Sequence, residues 1–242
     1  TGTQKLEAQL QNLFPLACIA RMDSDTTATR GAQEIILAKL ERREIDILVG
    51  TQMITKGHDF PDITLVGVIS ADTTLNMPDF RAAEKTFQML TQVAGRGGRG
   101  RAAGRVIIQT FNPEHYALHH TRDHNYLAFY EEEIRLRQAL AYPPFTHIIN
   151  LRLSSAKKNI LSQTALDLDR DARTLCRKSG HTVEIIGPAE SPLSKIRGEH
   201  RMQMMIKGKD SKLMHRIAAE LAEKHATSTV KITIDVDPES FM

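Results

Sequence analysis

Tyr142-Pro143-Pro144 is the tightest constraint on what this chain can fold into. Neither proline offers an N–H, and each pushes the residue before it out of the helical region. No helix continues through such a triplet, so the parts before and after it must be built separately. The two sides also differ in rhythm.

Upstream, helix and strand patterns alternate. Gln4 to Leu13 is amphipathic; Pro15 and the apolar run Leu16-Ala17-Cys18-Ile19-Ala20 follow. Ala28 to Arg42 is expected to be helical, with Ile35, Ile36, Leu37 and Leu40 on one side and Asp25, Thr26 or Thr27 as its N-cap. Ile45–Val49, ended by Gly50, and Ile63–Ile69 read as short buried strands. Pro78–Val93 reads as a helix with its proline near the first turn, and it runs into the glycine-rich stretch Gly95–Gly104. Arg105–Phe111 is a further strand. Strands separated by helices imply a parallel α/β sheet. Asn112-Pro113 then breaks the pattern, and one long polar helix is expected from about Glu114 to Leu140.

Downstream, Thr146–Leu153 alternates as a strand, Ala156–Lys178 is helical, and Thr182–Ile186 is a strand stopped by Gly187-Pro188. His200–Lys207 is a strand, Asp210–Lys224 a helix, and Thr229–Val236 alternates again. The order β-α-β-β-α-β is the ferredoxin-like, split βαβ pattern of an α+β domain. The expected organisation is therefore an α/β domain over 1–112, a linker helix over 113–141 and a ferredoxin-like domain over 142–242.

Composition narrows the function classes. With 41% hydrophobic and 25% charged residues, the chain is neither disordered nor fibrous. No run approaches the ~18 apolar residues of a membrane span, and the opening TGTQKLEAQL has no secretory character, so no membrane partner and a cytoplasmic location are expected. The two cysteines, Cys18 and Cys176, are too few for a disulfide framework or a four-cysteine zinc site. From Tyr142 onward 16 Lys and Arg face 12 Asp and Glu, a mild basic excess that suits a polyanion surface or an ordinary solvated face.

Two stretches carry chemistry. Gln92-Val93-Ala94-Gly95-Arg96-Gly97-Gly98-Arg99 sets two arginines among glycines just after a helix. Guanidinium forks match phosphate oxygens in a bidentate way, and an arginine aimed at a transferring phosphoryl group is worth ~10³-fold or more in rate. On composition alone the stretch equally suits a flexible arginine-glycine loop. The second stretch, Gly50-Thr51-Gln52-Met53-Ile54-Thr55-Lys56-Gly57-His58-Asp59-Phe60-Pro61, leaves one buried strand and returns to another. Ligands of open parallel sheets bind beyond the carboxyl ends of strands.

Together these stretches resemble motifs V and VI of superfamily 2 helicases. With Asp79-Phe80-Arg81-Ala82-Ala83-Glu84-Lys85-Thr86, Tyr142-Pro143-Pro144-Phe145 and Asp235-Val236-Asp237-Pro238, the whole chain is similar to the replication-restart helicases of the primosomal protein N′ family. That resemblance implies a RecA-like second helicase lobe followed by the C-terminal domain. It implies an ATP-dependent 3′→5′ DNA helicase that recognises stalled or branched forks and restarts replication through primosome assembly. Arg99 corresponds to the arginine finger and Arg96 to its companion at the phosphates. Gln92, Gly57 and Asp59 correspond to nucleotide-binding positions, and Thr51 to a DNA contact. The implied partners are branched and single-stranded DNA, primosome proteins and single-stranded DNA-binding protein. For the last, the expected surface is Lys195–Gln203, in which Arg201 and Gln203 match the family, whereas Glu199, His200 and Met202 depart from its basic and aromatic preference.

Neither Gly-x-x-x-x-Gly-Lys-Thr/Ser nor an Asp-Glu magnesium pair occurs in the chain. ATP and magnesium are therefore expected to need a first lobe that this chain does not supply, and zinc is expected only in an upstream module. The chain alone is expected to be inactive as an ATPase. The competing reading is a non-enzymatic nucleic-acid-binding or primosome-partner-binding module. His115, His119, His120 and His124 lack the accompanying carboxylate pattern of a metal helix, and no metal site is expected of them.

Overall fold

A computed structural model describes residues 2–27, 31–51, 63–95, 104–180 and 183–241. It is a mixed α/β structure with parallel and antiparallel sheets, divided into two compact units. The first comprises Thr1–Leu75 and Glu84–His124, the second Asn76–Ala83 and Asn125–Met242.

The first unit contains α1 (Thr3–Leu13), β1 (Ile19–Met22), α2 (Ala32–Glu41), β2 (Ile47–Gly50), β3 (Leu65–Val68), α3 (Asp72–Leu75), most of α4 (Ala82–Ala94), β4 (Arg105–Ile108) and α5 (Tyr116–Arg122). β1 pairs in parallel with β2 from Ile19↔Ile47, and β3 in parallel with β4 from Leu65↔Arg105. A helix lies between the members of each pair, as a parallel connection requires. Only the end of the Leu16–Ala20 run enters a strand. The Asp46 carboxylate accepts the Cys18 N–H at 2.8 Å and the Cys18 carbonyl accepts the Asp46 N–H, which starts the pairing at Ile19 and leaves Leu16 exposed. Met22 and Leu37 form one buried cluster; Ala71, Leu90 and Leu118 form another.

Helix α2 begins later than expected. Its N-cap is Gly31, in the left-handed region at φ 85, and no side chain caps it. Thr26 and Thr27 instead close a turn on Asp23, whose Oδ1 accepts the Asp25 and Thr26 N–H groups and whose carbonyl accepts the Thr27 hydroxyl. The expected single helix over 113–141 is two helices. Leu118 packs with Leu90 and Ala71, so α5 belongs to the first unit. The chain turns at His124 (φ 50), and the Asn125 side chain accepts the Ala128 N–H at 3.0 Å, opening α6 (Tyr126–Ala139) in the second unit.

The rest of the second unit is β5 (His147–Ser155), α7 (Lys158–Lys178), β6 (Val183–Ile196), β7 (Glu199–Gly208), α8 (Ser211–His225) and β8 (Lys231–Val236). Its sheet is antiparallel throughout, in the order β6-β7-β5-β8. Ile149, Leu151 and Leu153 face one side at period two, and Met204 and Ile206 of β7 join them. Leu161, Ala165, Leu168, Ala172 and Cys176 of α7, with Met214, Ile217, Ala218 and Leu221 of α8, close over that side at helical spacing. Each fully buried leucine is worth roughly 1.5–3 kcal/mol.

Strand β6 does not stop at Gly187-Pro188. Gly187 sits at φ 100, where a Cβ would lie 3.1 Å from the Gln203 carbonyl oxygen, and the register shifts there before pairing resumes at Ala189. The dipeptide is a bulge rather than an end, and β6 runs on to Ile196. Arg197 (φ 49) and Gly198 (φ 86) then form a two-residue hairpin loop with positive φ at both positions, which suits the strand twist.

Candidate nucleotide and nucleic-acid site

Thr51 directly follows β2 and is exposed. Gly57 and Asp59 lie outside the described residues, as do Arg96 and Arg99. Gln92 lies in the last turn of α4. Thr86, Phe87, Leu90 and Val93 bury one face of that helix, while Gln88 and Gln92, four residues apart, share the exposed face. The helix closes with the Gly95 N–H on the Thr91 carbonyl at 3.0 Å. Gln92 is thus exposed at the C-terminal end of α4. Thr51 follows the β1–β2 pair and Gln92 lies on the helix between β3 and β4, and no described contact joins them.

Arg201 and Gln203 project from the same face of β7, opposite Ser154 and Arg152 of β5. That face is rimmed by charge. Arg152 pairs with Asp235 at 2.9 Å on that face, whereas Lys158 of α7 pairs with Glu190 at 2.8 Å on the opposite, Met202 side. The Lys158 hydrogen bond and charge hold the Glu190 carboxyl below its ordinary value. Gln203 is buried, and its Oε1 has no hydrogen-bond partner among the described residues. An unpaired buried acceptor costs roughly 1–3 kcal/mol, so a donor arriving at Oε1 would recover that loss. Met202 points the other way and packs against the helix-covered core, so it does not line this face. Glu199 pairs with Ile196 at the hairpin, and His200 with both Ser155 and Lys195.

The histidines serve local structure. His115 Nδ1 accepts the Ala117 N–H and caps α5, and His119 Nε2 lies 3.1 Å from Glu114 Oε2. Among the described residues no group of three or more His, Cys, Asp or Glu side chains could hold a metal ion. Among them, too, no helix is long and apolar enough to cross a membrane.

A further constellation was not anticipated from sequence. In the second unit Phe80 stacks on Tyr142, with centroids 5.0 Å apart and planes 7° from parallel, while Phe241 meets Phe80 edge-on at 6.2 Å. The guanidinium groups of Arg81 and Arg137 lie over Phe80 at 4.3 and 5.0 Å, and Lys207 Nζ over Tyr142 at 4.8 Å. The available signal was the Asp79-Phe80-Arg81 stretch itself, an aromatic ring between two charges just ahead of a helix.

Comparison with known proteins follows this division of the chain. The model for the helicase conserved C-terminal domain matches residues 2–101, and that for the primosomal protein N C-terminal domain matches residues 138–239. Replication restart protein PriA of Bacillus subtilis is 42% identical over 250 residues, covering 100% of this chain and 30% of that protein. The PriA of Synechocystis is 41% identical, covering 99% of this chain and 28% of its own length. That of Borreliella burgdorferi is 36% identical, covering 100% and 36% respectively. The chain therefore spans about a third of the length of these relatives. Matched along its length by them, and by a C-terminal model in its second half, the chain belongs to the replication restart protein PriA family and matches the C-terminal portion of its members.

Proposed function

We propose that this chain is the second motor lobe and C-terminal domain of an ATP-dependent 3′→5′ DNA helicase that acts on stalled or branched forks and restarts replication by primosome assembly. The observation that carries the reading is that both stretches that resemble helicase motifs, Gly50–Pro61 and Gln92–Arg99, fall within the segment matched by the helicase C-terminal model. In this reading residues 1–112 form a RecA-like lobe, 113–141 connect, and 142–242 form a ferredoxin-like domain. The parallel pairs β1–β2 and β3–β4 support the first assignment, and the order β6-β7-β5-β8 supports the last.

Arg99 then stabilises the charge that develops on the transferring phosphoryl group, with Arg96 beside it. Gly57, Asp59 and Gln92 meet the nucleotide, and Thr51 meets the DNA backbone. The exposure of Thr51 and Gln92 fits those roles. ATP and magnesium are held chiefly by an upstream lobe, since no phosphate-cradling glycine-lysine motif lies in this sequence. Arg201 and the unpaired Oε1 of Gln203 receive the tail of single-stranded DNA-binding protein, a backbone N–H of the tail filling the vacant acceptor.

Arg99→Ala in the full-length protein tests the reading. DNA-stimulated ATP hydrolysis is expected to fall about 10³-fold with only a modest loss of DNA affinity. Unchanged hydrolysis, with a small uniform loss of affinity and a shallower salt dependence, would instead make the chain a non-enzymatic nucleic-acid-binding module.

A further inference from the structure

We propose that the hollow between the end of α7 and the start of α8 is a binding site for a phosphate group of a nucleic-acid backbone, held by Lys178, Lys212 and Arg216. The choice of a nucleic acid rests on the helicase reading above; the cationic hollow itself does not. It measures about 360 Å³, lies within the second unit, and is walled by Lys178, Ser179, Asp210, Lys212, Leu213 and Arg216.

Stability does not account for these cations. Lys212 stands in the first turn of α8, where the free N–H groups and the helix dipole favour an acid and disfavour a cation. Arg216 follows four residues on, on the same helix face, and like charges at that spacing repel. No acidic residue in the first turn offsets them. The one carboxylate of the hollow, Asp210, is the N-cap, and its Oδ1 accepts the Leu213 N–H at 3.0 Å. Among the described residues the side chains of Lys178, Lys212 and Arg216 make neither an ion pair nor a hydrogen bond. Other cations of the same two helices do. Arg170 pairs with Asp167 at 2.7 Å, Arg173 with Asp169 at 2.8 Å and Lys224 with Asp171 at 2.8 Å. Charges that break a helix preference without a compensating partner mark a place kept for a ligand.

The lining selects that ligand. Three cations against one carboxylate call for an anion. Two of them are lysines, point charges that bind phosphate without a fixed geometry, and the planar fork of Arg216 matches two phosphate oxygens at once. The N-terminal end of α8 adds its own partial positive charge. Leu213 is the one apolar wall and packs against the core, and no aromatic ring lines the hollow, so a base has nothing to stack on. The contact is therefore with the strand backbone and independent of sequence.

Two triple variants of this chain test the proposal. Lys178→Gln, Lys212→Gln and Arg216→Gln together strip the hollow of its cations. Lys158→Gln, Arg170→Gln and Lys224→Gln together remove the same charge from exposed positions that are paired with acids. Binding of a labelled oligothymidine is followed by anisotropy over a range of salt. The hollow variant should bind about tenfold more weakly near 0.1 M salt, with a slope of log K against log salt shallower by about one. The control should stay within about twofold of the parent. The melting temperature of the hollow variant should equal or exceed the parent's, because the cations removed oppose the helix.

Equal losses in both variants overturn the proposal, since net charge alone then attracts the strand. So does a hollow variant that binds as the parent does, or one whose weaker binding tracks a lower melting temperature. Inorganic phosphate should displace the oligonucleotide no better than chloride at equal ionic strength; stronger displacement from the parent alone would assign the hollow to free phosphate instead. A hollow variant that loses binding to polyglutamate while keeping the oligonucleotide would assign it to an acidic peptide. Arg99→Ala in the full-length protein keeps the two readings apart. If hydrolysis falls there while the hollow variant binds normally, only the phosphate site fails; if hydrolysis persists, the helicase reading fails.

Discussion

The two units solve the burial problem differently. In the second, one four-stranded antiparallel sheet and two helices share a single cluster of sixteen buried side chains among the described residues. In the first, the described strands form two separate parallel pairs, and the buried clusters contain two and three residues. Antiparallel neighbours can be joined by a tight hairpin such as Arg197-Gly198, whereas parallel neighbours need a crossover helix for each pairing. The second unit is thus organised around one centre. The described part of the first has no comparable shared cluster.

The largest expected effect follows from that contrast. Leu168 is fully buried on α7, amid side chains from two helices and three strands of the second unit. Leu168→Ala should cost about 2–5 kcal/mol, because the surrounding residues can close only part of the cavity. Leu37 of α2 lies in the two-residue cluster with Met22 and retains 6% exposure. Leu37→Ala should fall at or below the lower end of the same range of about 2–5 kcal/mol. Denaturant unfolding of both variants checks the contrast; equal losses would break it.

How far the sequence reveals each unit depends on the same difference. In the second, Ile149, Leu151 and Leu153 alternate and Leu161 to Cys176 recur at helical spacing, so strand and helix are separable by period alone. Gly187-Pro188 misleads because a bulge and a strand end use the same residues; only the Gln203 carbonyl across the ladder distinguishes them. The helix expected from Glu114 to Leu140 breaks at His124 through a positive φ that histidine adopts only in context, although Asn125 ahead of Tyr126 is a readable cap. In the first unit the strands are four residues long, too short for period to fix their ends, and Leu16 adjoins the apolar residues of β1 without sharing their burial. The candidate site is legible as motifs, since glycines and arginines at fixed spacing need no tertiary information. The stack of Phe80 on Tyr142 is not legible: 62 residues separate the rings, and no periodicity links them.

Helix caps give the next effect. Asp210 accepts the Leu213 N–H at 3.0 Å and opens α8, whereas α2 of the first unit opens at Gly31 with no side-chain cap. Asp210→Ala should lower the stability of the second unit by roughly 0.5–2 kcal/mol, and Asp210→Ser should recover most of it. Thermal melting of the three proteins reads this directly. A loss as large as that of Leu168→Ala would mean that the cap, rather than the shared core, organises this unit.

The smallest effect concerns acid. Burial alone would push the Asp237 carboxyl up, but the hydrogen bonds from the Ile148 N–H at 3.0 Å and from His147 at 2.9 Å outweigh it. With the charges of His147 and Arg81 added, the net result is a value below the ordinary 3.8. A carboxyl lowered on folding stabilises the folded state while it is ionised in both states. That contribution is complete above 3.8 and is lost as pH falls through the lower folded value. Asp237→Asn keeps an oxygen to accept the Ile148 N–H but cannot titrate. The variant should be less stable than the parent at pH 5, and the gap should narrow as pH falls below 3.8. Other carboxylates titrate alike in both proteins and drop out of the difference. A gap that stays constant to pH 3 would show that the charge of Asp237 contributes nothing, leaving the Ile148 hydrogen bond as its whole role at the edge of the second unit's sheet.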